Sequence, residues 1–200
     1  MRNTVLRDDR GRPYAVGCVG IDVTDDRRRE AQLHLQAQTD LLTGIANRGA
    51  LFDELRARLA DGDGCALLFC DLDQFKIVND RYGHAVGDAL LAETARRMAE
   101  LGGPGDLVAR FGGDEFVILS QGRSQHELAA LADRVDEAVR RPWTGPRGPL
   151  SVGVSIGIAV ASPGDDADEL IGRADRAMYG AKSHPHRHGG PPRRADHAGD

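Results

Sequence analysis

The stretch Arg110-Phe111-Gly112-Gly113-Asp114-Glu115-Phe116-Val117-Ile118-Leu119 constrains this chain more than any other. Apolar runs at Leu107–Phe111 and Phe116–Leu119 flank a Gly-Gly pair. Both central residues of a type I′ turn need positive φ, which glycine adopts without steric cost. The pattern predicts a tight β-hairpin turning at Gly112-Gly113, with Asp114 and Glu115 at its tip. Taken alone, carboxylates at a hairpin tip are ordinary solvated turn residues. A second acidic strand end, Asp71-Leu72-Asp73, closes the apolar run Cys65–Cys70 upstream. Two strand ends that each finish in carboxylates suggest a shared site for Mg²⁺ or Mn²⁺, because hard cations take oxygen ligands.

Further motifs stand in order around this pair. Asp40-Leu41-Leu42-Thr43-Gly44-Ile45-Ala46-Asn47-Arg48 comes first. The central block is Asp71-Leu72-Asp73-Gln74-Phe75-Lys76-Ile77-Val78-Asn79-Asp80 followed by Tyr82-Gly83-His84-Ala85-Val86-Gly87-Asp88. Ser155-Ile156-Gly157-Ile158-Ala159 and Arg173-Ala174-Asp175-Arg176-Ala177-Met178-Tyr179-Gly180-Ala181-Lys182 close the series. With the hairpin, these segments resemble the GGDEF family of diguanylate cyclases from about Thr39 to Lys182. Several motifs in fixed order are far more specific than any one short motif.

That resemblance implies a function. The family joins two GTP molecules into cyclic di-GMP, each 3′-hydroxyl attacking the other's α-phosphate as pyrophosphate leaves. By resemblance Asp71 and Asp114 are the metal ligands, with the Leu72 carbonyl, and Asp114 and Glu115 are the catalytic carboxylates. Asn79 and Asp88 match the family's guanine readers. An amide can bond the guanine edge, and a carboxylate accepts from its N1–H and N2–H₂ donors. Without the surrounding block, Asn79 would pass for a turn former and Asp88 for an acid in a first helical turn. Lys76 and Lys182 match phosphate contacts, and His84 matches a position near ribose or base. A structural loop histidine is nearly as good a reading of His84. Phe75 and Phe116 read as core.

The sequence departs from the family in three places. Pro185-His186-Arg187 follows Lys182 where the family runs through Gly-Arg-Asn, so Arg187 stands one position along. Gly49 replaces an arginine that often follows Arg48. The family's product-inhibition window, Arg-x-x-Asp, here reads Gly103-Pro104-Gly105-Asp106. The expectation is escape from ordinary product inhibition, with Arg110 as the nearest candidate cation. The activity expected is that of a diguanylate cyclase. The rival is a catalytically silent GGDEF domain that binds GTP or a protein partner. A third reading is another GTP-using cyclase on the same scaffold.

Composition sets outer bounds. Two hundred residues suit one domain plus an appendage. A formal charge of −5 argues against a general nucleic-acid binder, which needs a basic face. Cys18, Cys65 and Cys70 form neither a CxxC pair nor a zinc spacing, which fits a reducing cytoplasm. No apolar run reaches the ~18 residues of a membrane span, and no signal peptide is evident.

Along the chain, residues 1–24 predict a β-hairpin from Thr4–Leu6 and Tyr14–Val23 around Asp8-Asp9-Arg10-Gly11. The segment from Asp9 to Thr24 resembles the last two strands of a PAS sensor domain, implying an upstream sensor. Residues 25–38 predict a charged linker helix. Helices follow at Arg48–Ala60, from Gly87, at Glu127–Arg140 and after Asp166, where Asp166 and Glu169 form a capping box. In the last helix Leu170, Ala174, Ala177 and Ala181 are expected inward. Pro142–Pro149 reads as a loop and Leu150–Ala161 as one strand. Residues 184–200 read as a disordered tail. The alternation of strands and helices predicts an α+β fold. Family resemblance sharpens it to a ferredoxin-like, polymerase-palm-type core with a mainly antiparallel sheet, active as a homodimer.

Overall fold

The computed structural model describes residues 2–19, 38–62, 64–146 and 148–183, within two compact units, Met1–Ala37 and Gln38–Asp200. In the first unit, β1 (Arg2–Arg7) pairs antiparallel with β2 (Pro13–Val19). The turn is held by Asp8, whose carboxylate accepts from the Arg10 and Arg12 amides at 3.0 and 2.8 Å. Gly11 takes a positive φ of 75° there. The expected hairpin is therefore present. The expected linker helix, apart from Gln38, and the expected tail lie outside the described residues.

The second unit runs β3 (Ala46–Asn47), α1 (Arg48–Asp61), β4 (Cys65–Asp73), α2 (Phe75–Tyr82), α3 (His84–Leu101), β5 (Leu107–Gly112) and β6 (Glu115–Gln121). It continues through α4 (Gln125–Arg140), β7 (Trp143–Gly145), β8 (Gly148–Leu150), β9 (Gly153–Val160) and α5 (Ala167–Ser183). Five strands form one sheet in the order β3-β5-β6-β4-β9. β3 pairs parallel with β5, and the other neighbours are antiparallel. The expected mainly antiparallel α+β architecture is what forms.

Strand periodicity divides the core. Successive side chains on a strand point to opposite faces. Leu68, Cys70 and Leu72 of β4 and Phe116 and Ile118 of β6 meet α2, α3 and α4. Leu67 and Phe69 of β4 and Val117 and Leu119 of β6 meet α1 and α5. Phe69 and Phe116 are fully buried, and burial of a large apolar side chain contributes about 1.5–3 kcal/mol. By the same parity Asp71 and Glu115 belong to the α1–α5 face.

Helices α1, α4 and α5 begin where polar side chains satisfy their first amides. Asn47 accepts from the Ala50 amide, and Ser124 with Glu127 closes a capping box. Asp166 and Glu169 form the one box that the sequence predicted. At the far end of α4, Arg97 of α3 donates to the carbonyls of Ala138, Val139 and Arg141. A charged donor thus satisfies carbonyls that the helix itself leaves open.

Several boundaries differ from the sequence reading. The third helix starts at His84, not Gly87, because Gly83 (φ 88°) makes the break between α2 and α3. β4 runs on to Asp73 rather than ending at Cys70. The segment Pro142–Pro149 is no loop, since β7 pairs with β8 within it. The strand expected over Leu150–Ala161 is split between β8 and β9. On α5, Ala177 and Ala181 are exposed, and Ala167, Leu170, Ile171, Ala174 and Met178 face inward.

Candidate active site

The hairpin tip forms by a turn one residue later than predicted. Gly112 pairs with Glu115, so Gly113 and Asp114 are the turn residues. Gly113 has positive φ (52°) and Asp114 does not, which matches a II′ rather than a I′ pattern. Phe111 is bulged out of the ladder and packs edge-on to Phe69, with ring centroids 5.1 Å apart. Bulges of this kind re-aim the residues beyond them.

This turn brings the expected carboxylates together. Asp71 lies directly opposite Glu115 in the β4–β6 register and opposite Ser155 on β9. The Leu72 amide donates to the Asp114 carbonyl at 3.2 Å, fixing the turn against the end of β4. Asp71 is 9% exposed, and Lys182 of α5 donates to its Oδ1 at 2.7 Å. Burial pushes the Asp114 carboxyl above the ordinary range, and Asp71 adds to the rise while Lys182 and Arg110 oppose it. Burial also raises Glu115, reinforced by Asp71, Asp114 and Asp175. The hydrogen bond to Asp71 raises Lys182. The result is a crowded set of carboxylates with one ammonium among them. Among the described residues, no group of three or more His, Cys, Asp and Glu is arranged to hold a metal ion.

The turn is held from behind. Arg110 donates through Nε and Nη2 to the Gly113 carbonyl at 3.1 and 2.8 Å. Its Nη1 reaches both oxygens of Asp40, at 3.2 and 3.3 Å. Asp40 also accepts from the Thr43 amide and hydroxyl at 2.9 and 2.6 Å. Burial would raise the Asp40 carboxyl, but these bonds outweigh it and hold it low. The Asp40-Leu41-Leu42-Thr43 segment is therefore a brace for the tip, a role that its sequence did not disclose.

The other expected site residues sit on α2 and α3. α2 begins at Phe75, with Gln74 alone between it and β4, and the φ of Gln74 is 59°. Lys76 is exposed on its first turn, and Asn79 is half-buried one turn later. His84 opens α3 and is exposed, as is Asp88. Asp88 lies beyond the first turn of α3, which contains no acid, so a macrodipole role does not account for it. Phe75 and Phe116 are core, as read. Arg187 lies outside the described residues.

The Gly103–Asp106 window holds a cation that the sequence hid. Asp106 accepts from the Gly103 amide at 2.7 Å, the Ser120 hydroxyl at 2.9 Å and Arg123 Nη2 at 2.6 Å. Arg123, not Arg110, is its partner, and it comes from two residues past the end of β6. Burial pulls Asp106 upward, yet these donors hold it below its usual value.

A family model described as diguanylate cyclase, GGDEF domain, matches residues 37–188. The chain belongs to the GGDEF family. Its GGDEF domain is 38% identical over 168 residues to cyclic di-GMP phosphodiesterase PdeR of Escherichia coli, covering 82% of this chain and 25% of that protein. Diguanylate cyclase DgcP of Escherichia coli is 35% identical over 164 residues, 79% of this chain and 48% of that one. The chain thus spans between a quarter and half of these relatives' length. The crystal structure of the coiled coil and GGDEF domain of DgcB from Caulobacter crescentus, in complex with c-di-GMP, superposes with a TM-score of 0.78. It is 29% identical and covers 82% of this chain and 90% of that one. The family match begins at residue 37, after the β1–β2 hairpin. Among the described residues no helix is long and apolar enough to cross a membrane.

Proposed function

We propose that this GGDEF domain is a diguanylate cyclase, condensing two GTP into cyclic di-GMP and two pyrophosphates. The observation that carries the proposal is the carboxylate set Asp71, Asp114 and Glu115, gathered at adjacent strand ends with Lys182 on Asp71. An all-oxygen set of this kind suits Mg²⁺ or Mn²⁺, which needs one or two carboxylates and takes its remaining ligands from phosphate and water. Asp71, Asp114 and the Leu72 carbonyl would hold the ion. Bound there, it would neutralise charge that builds on the phosphoryl oxygens.

The chain's own residues divide the remaining work. Lys182 and Lys76 hold phosphates as point charges. Asn79 and Asp88 bond the guanine edge, and His84 lies toward ribose or base. Glu115 supports the metal or the attacking 3′-hydroxyl. Positioning and charge neutralisation supply most of the acceleration in phosphoryl chemistry. One site holds one GTP, so two domains face each other in a symmetric homodimer. The first unit is read as the end of a PAS-type sensor that governs this pairing in the cytoplasm.

A silent GTP-binding or protein-interaction domain is the second reading, favoured by the likeness to a protein named as a phosphodiesterase. Pyrophosphate release from GTP and from ATP, each with Mg²⁺, separates the two. The cyclase reading expects release from GTP and little from ATP, because polar groups built for guanine go unpaired against adenine. Equal release from both, or none from GTP, would overturn it.

A further inference from the structure

Asn79 is set by a residue on the neighbouring helix. Gly87 is buried in the first half of α3, and it faces Asn79 and Phe75 of α2. A Cβ built on Gly87 would stand 1.9 Å from Asn79 Oδ1 and 3.0 Å from its Cγ. The amide oxygen therefore occupies the space a β-carbon would take. The Asn79 carbonyl accepts from the Gly83 amide at 2.8 Å, which fixes the backbone from which this side chain extends. Gly87 is absent from the residues with positive φ. The backbone at this position does not itself demand glycine, and helix propensity favours alanine.

We infer that Gly87 is a positioning residue for base recognition: its missing side chain is the slot that holds the Asn79 amide in its reading orientation. The inference rests on the proposed role of Asn79 toward the base. A methyl at position 87 meets the end of a rotatable side chain, so relief comes by turning the amide away about χ1 and χ2. Phe75 Cζ, 3.1 Å from the same point, has to give by only a few tenths of an ångström. Helix α3 therefore survives the substitution and the base contact does not. The bland alternative is that the glycine merely allows close packing of α2 on α3. In that case a methyl group perturbs the fold and leaves base choice alone.

The test is equilibrium binding of non-hydrolysable GTP and ATP analogues to the full chain, for Gly87→Ala, Asn79→Ala and the double variant. Melting temperature and the Asn79 side-chain amide signals are recorded alongside. Asn79→Ala should narrow the GTP-over-ATP preference by about 3- to 10-fold, the range of one lost neutral hydrogen bond. Gly87→Ala should reproduce that loss, shift the Asn79 amide signals and melt at or above the parent temperature. The double variant should be no worse than either single one. A Gly87→Ala protein that keeps its preference while Asn79→Ala loses it overturns the inference and leaves the guanine-reader role standing. An unchanged preference in Asn79→Ala overturns that role, and the inference with it. A Gly87→Ala protein that fails to fold shows that the contact serves packing, which also overturns the inference.

Discussion

Replacing Gly157 with alanine probes how the sheet positions Lys182. Gly157 lies in β9 under α5, where a β-carbon would stand 2.1 Å from the Ala174 carbonyl oxygen and 2.2 Å from the Met178 nitrogen. Both are backbone atoms of a helix and cannot rotate aside. Ordinary van der Waals contact begins near 3.4 Å. Helix α5 must then retreat by about 1 Å, because close-packed interiors pass such strain on rather than absorbing it. Overpacking costs about 1–3 kcal/mol, and immobile partners put this case near the upper figure. For a unit of this size that lowers Tm by about 6–12 °C. The same retreat carries Lys182 away from Asp71, whose oxygen it meets at 2.7 Å, out of hydrogen-bond range. Urea unfolding and GTP turnover, measured together, should both fall. Gly180→Ala, on α5 with nothing within 4 Å of its would-be β-carbon, serves as the control and should hold or gain stability. A Gly157→Ala protein with parental stability and turnover would refute the reasoning.

Other outcomes follow from the site and its supports. Asp71→Asn or Asp114→Asn should abolish turnover with unchanged circular dichroism, losing several kcal/mol of transition-state stabilisation; undiminished product would remove that residue from the metal site. Glu93 is held at about 2 by hydrogen bonds from Arg96 and then Arg97, against an ordinary 4.5. Its folded value lies below its unfolded one, so its contribution is complete above about pH 4.5 and fades as pH falls toward 2. Glu93→Gln should flatten urea stability against pH across that window, and an unchanged slope would dismiss the linkage. Asp106 is committed to Gly103, Ser120 and Arg123, so cyclic di-GMP titrated into nucleotide-free protein should show no tight binding. Tight binding lost in Asp106→Ala, with non-competitive inhibition, would contradict this.

Much of the sheet was legible because strands announce themselves through apolar runs and glycine turns. The Cys65–Cys70 run and the Gly112-Gly113 signal mark β4, β5 and β6 in the sequence itself. The turn slipped by one residue because the Phe111 bulge adds a residue to one strand, which no local pattern marks. The β7–β8 pair was missed because Gly145, Pro146, Gly148 and Pro149 erase the alternation that signals a strand. Ala177 and Ala181 were misplaced because alanine suits either face of a helix. Asp71, Asp114 and Glu115 were found as one cluster because the two strand ends carrying them are neighbours. The supports were not legible. Arg123 on Asp106, Arg110 on Asp40, Arg97 on the end of α4 and Asn79 in the Gly87 slot each join residues that only the fold brings together.

Mass analysis of the nucleotides formed from GTP and Mg²⁺ by the purified chain tests the cyclase proposal most directly. A cyclic dinucleotide of two guanylates, with two pyrophosphates released per molecule, is the predicted result. Unconsumed GTP would contradict it in favour of a silent domain, and a cyclic mononucleotide would contradict it in favour of a different cyclase.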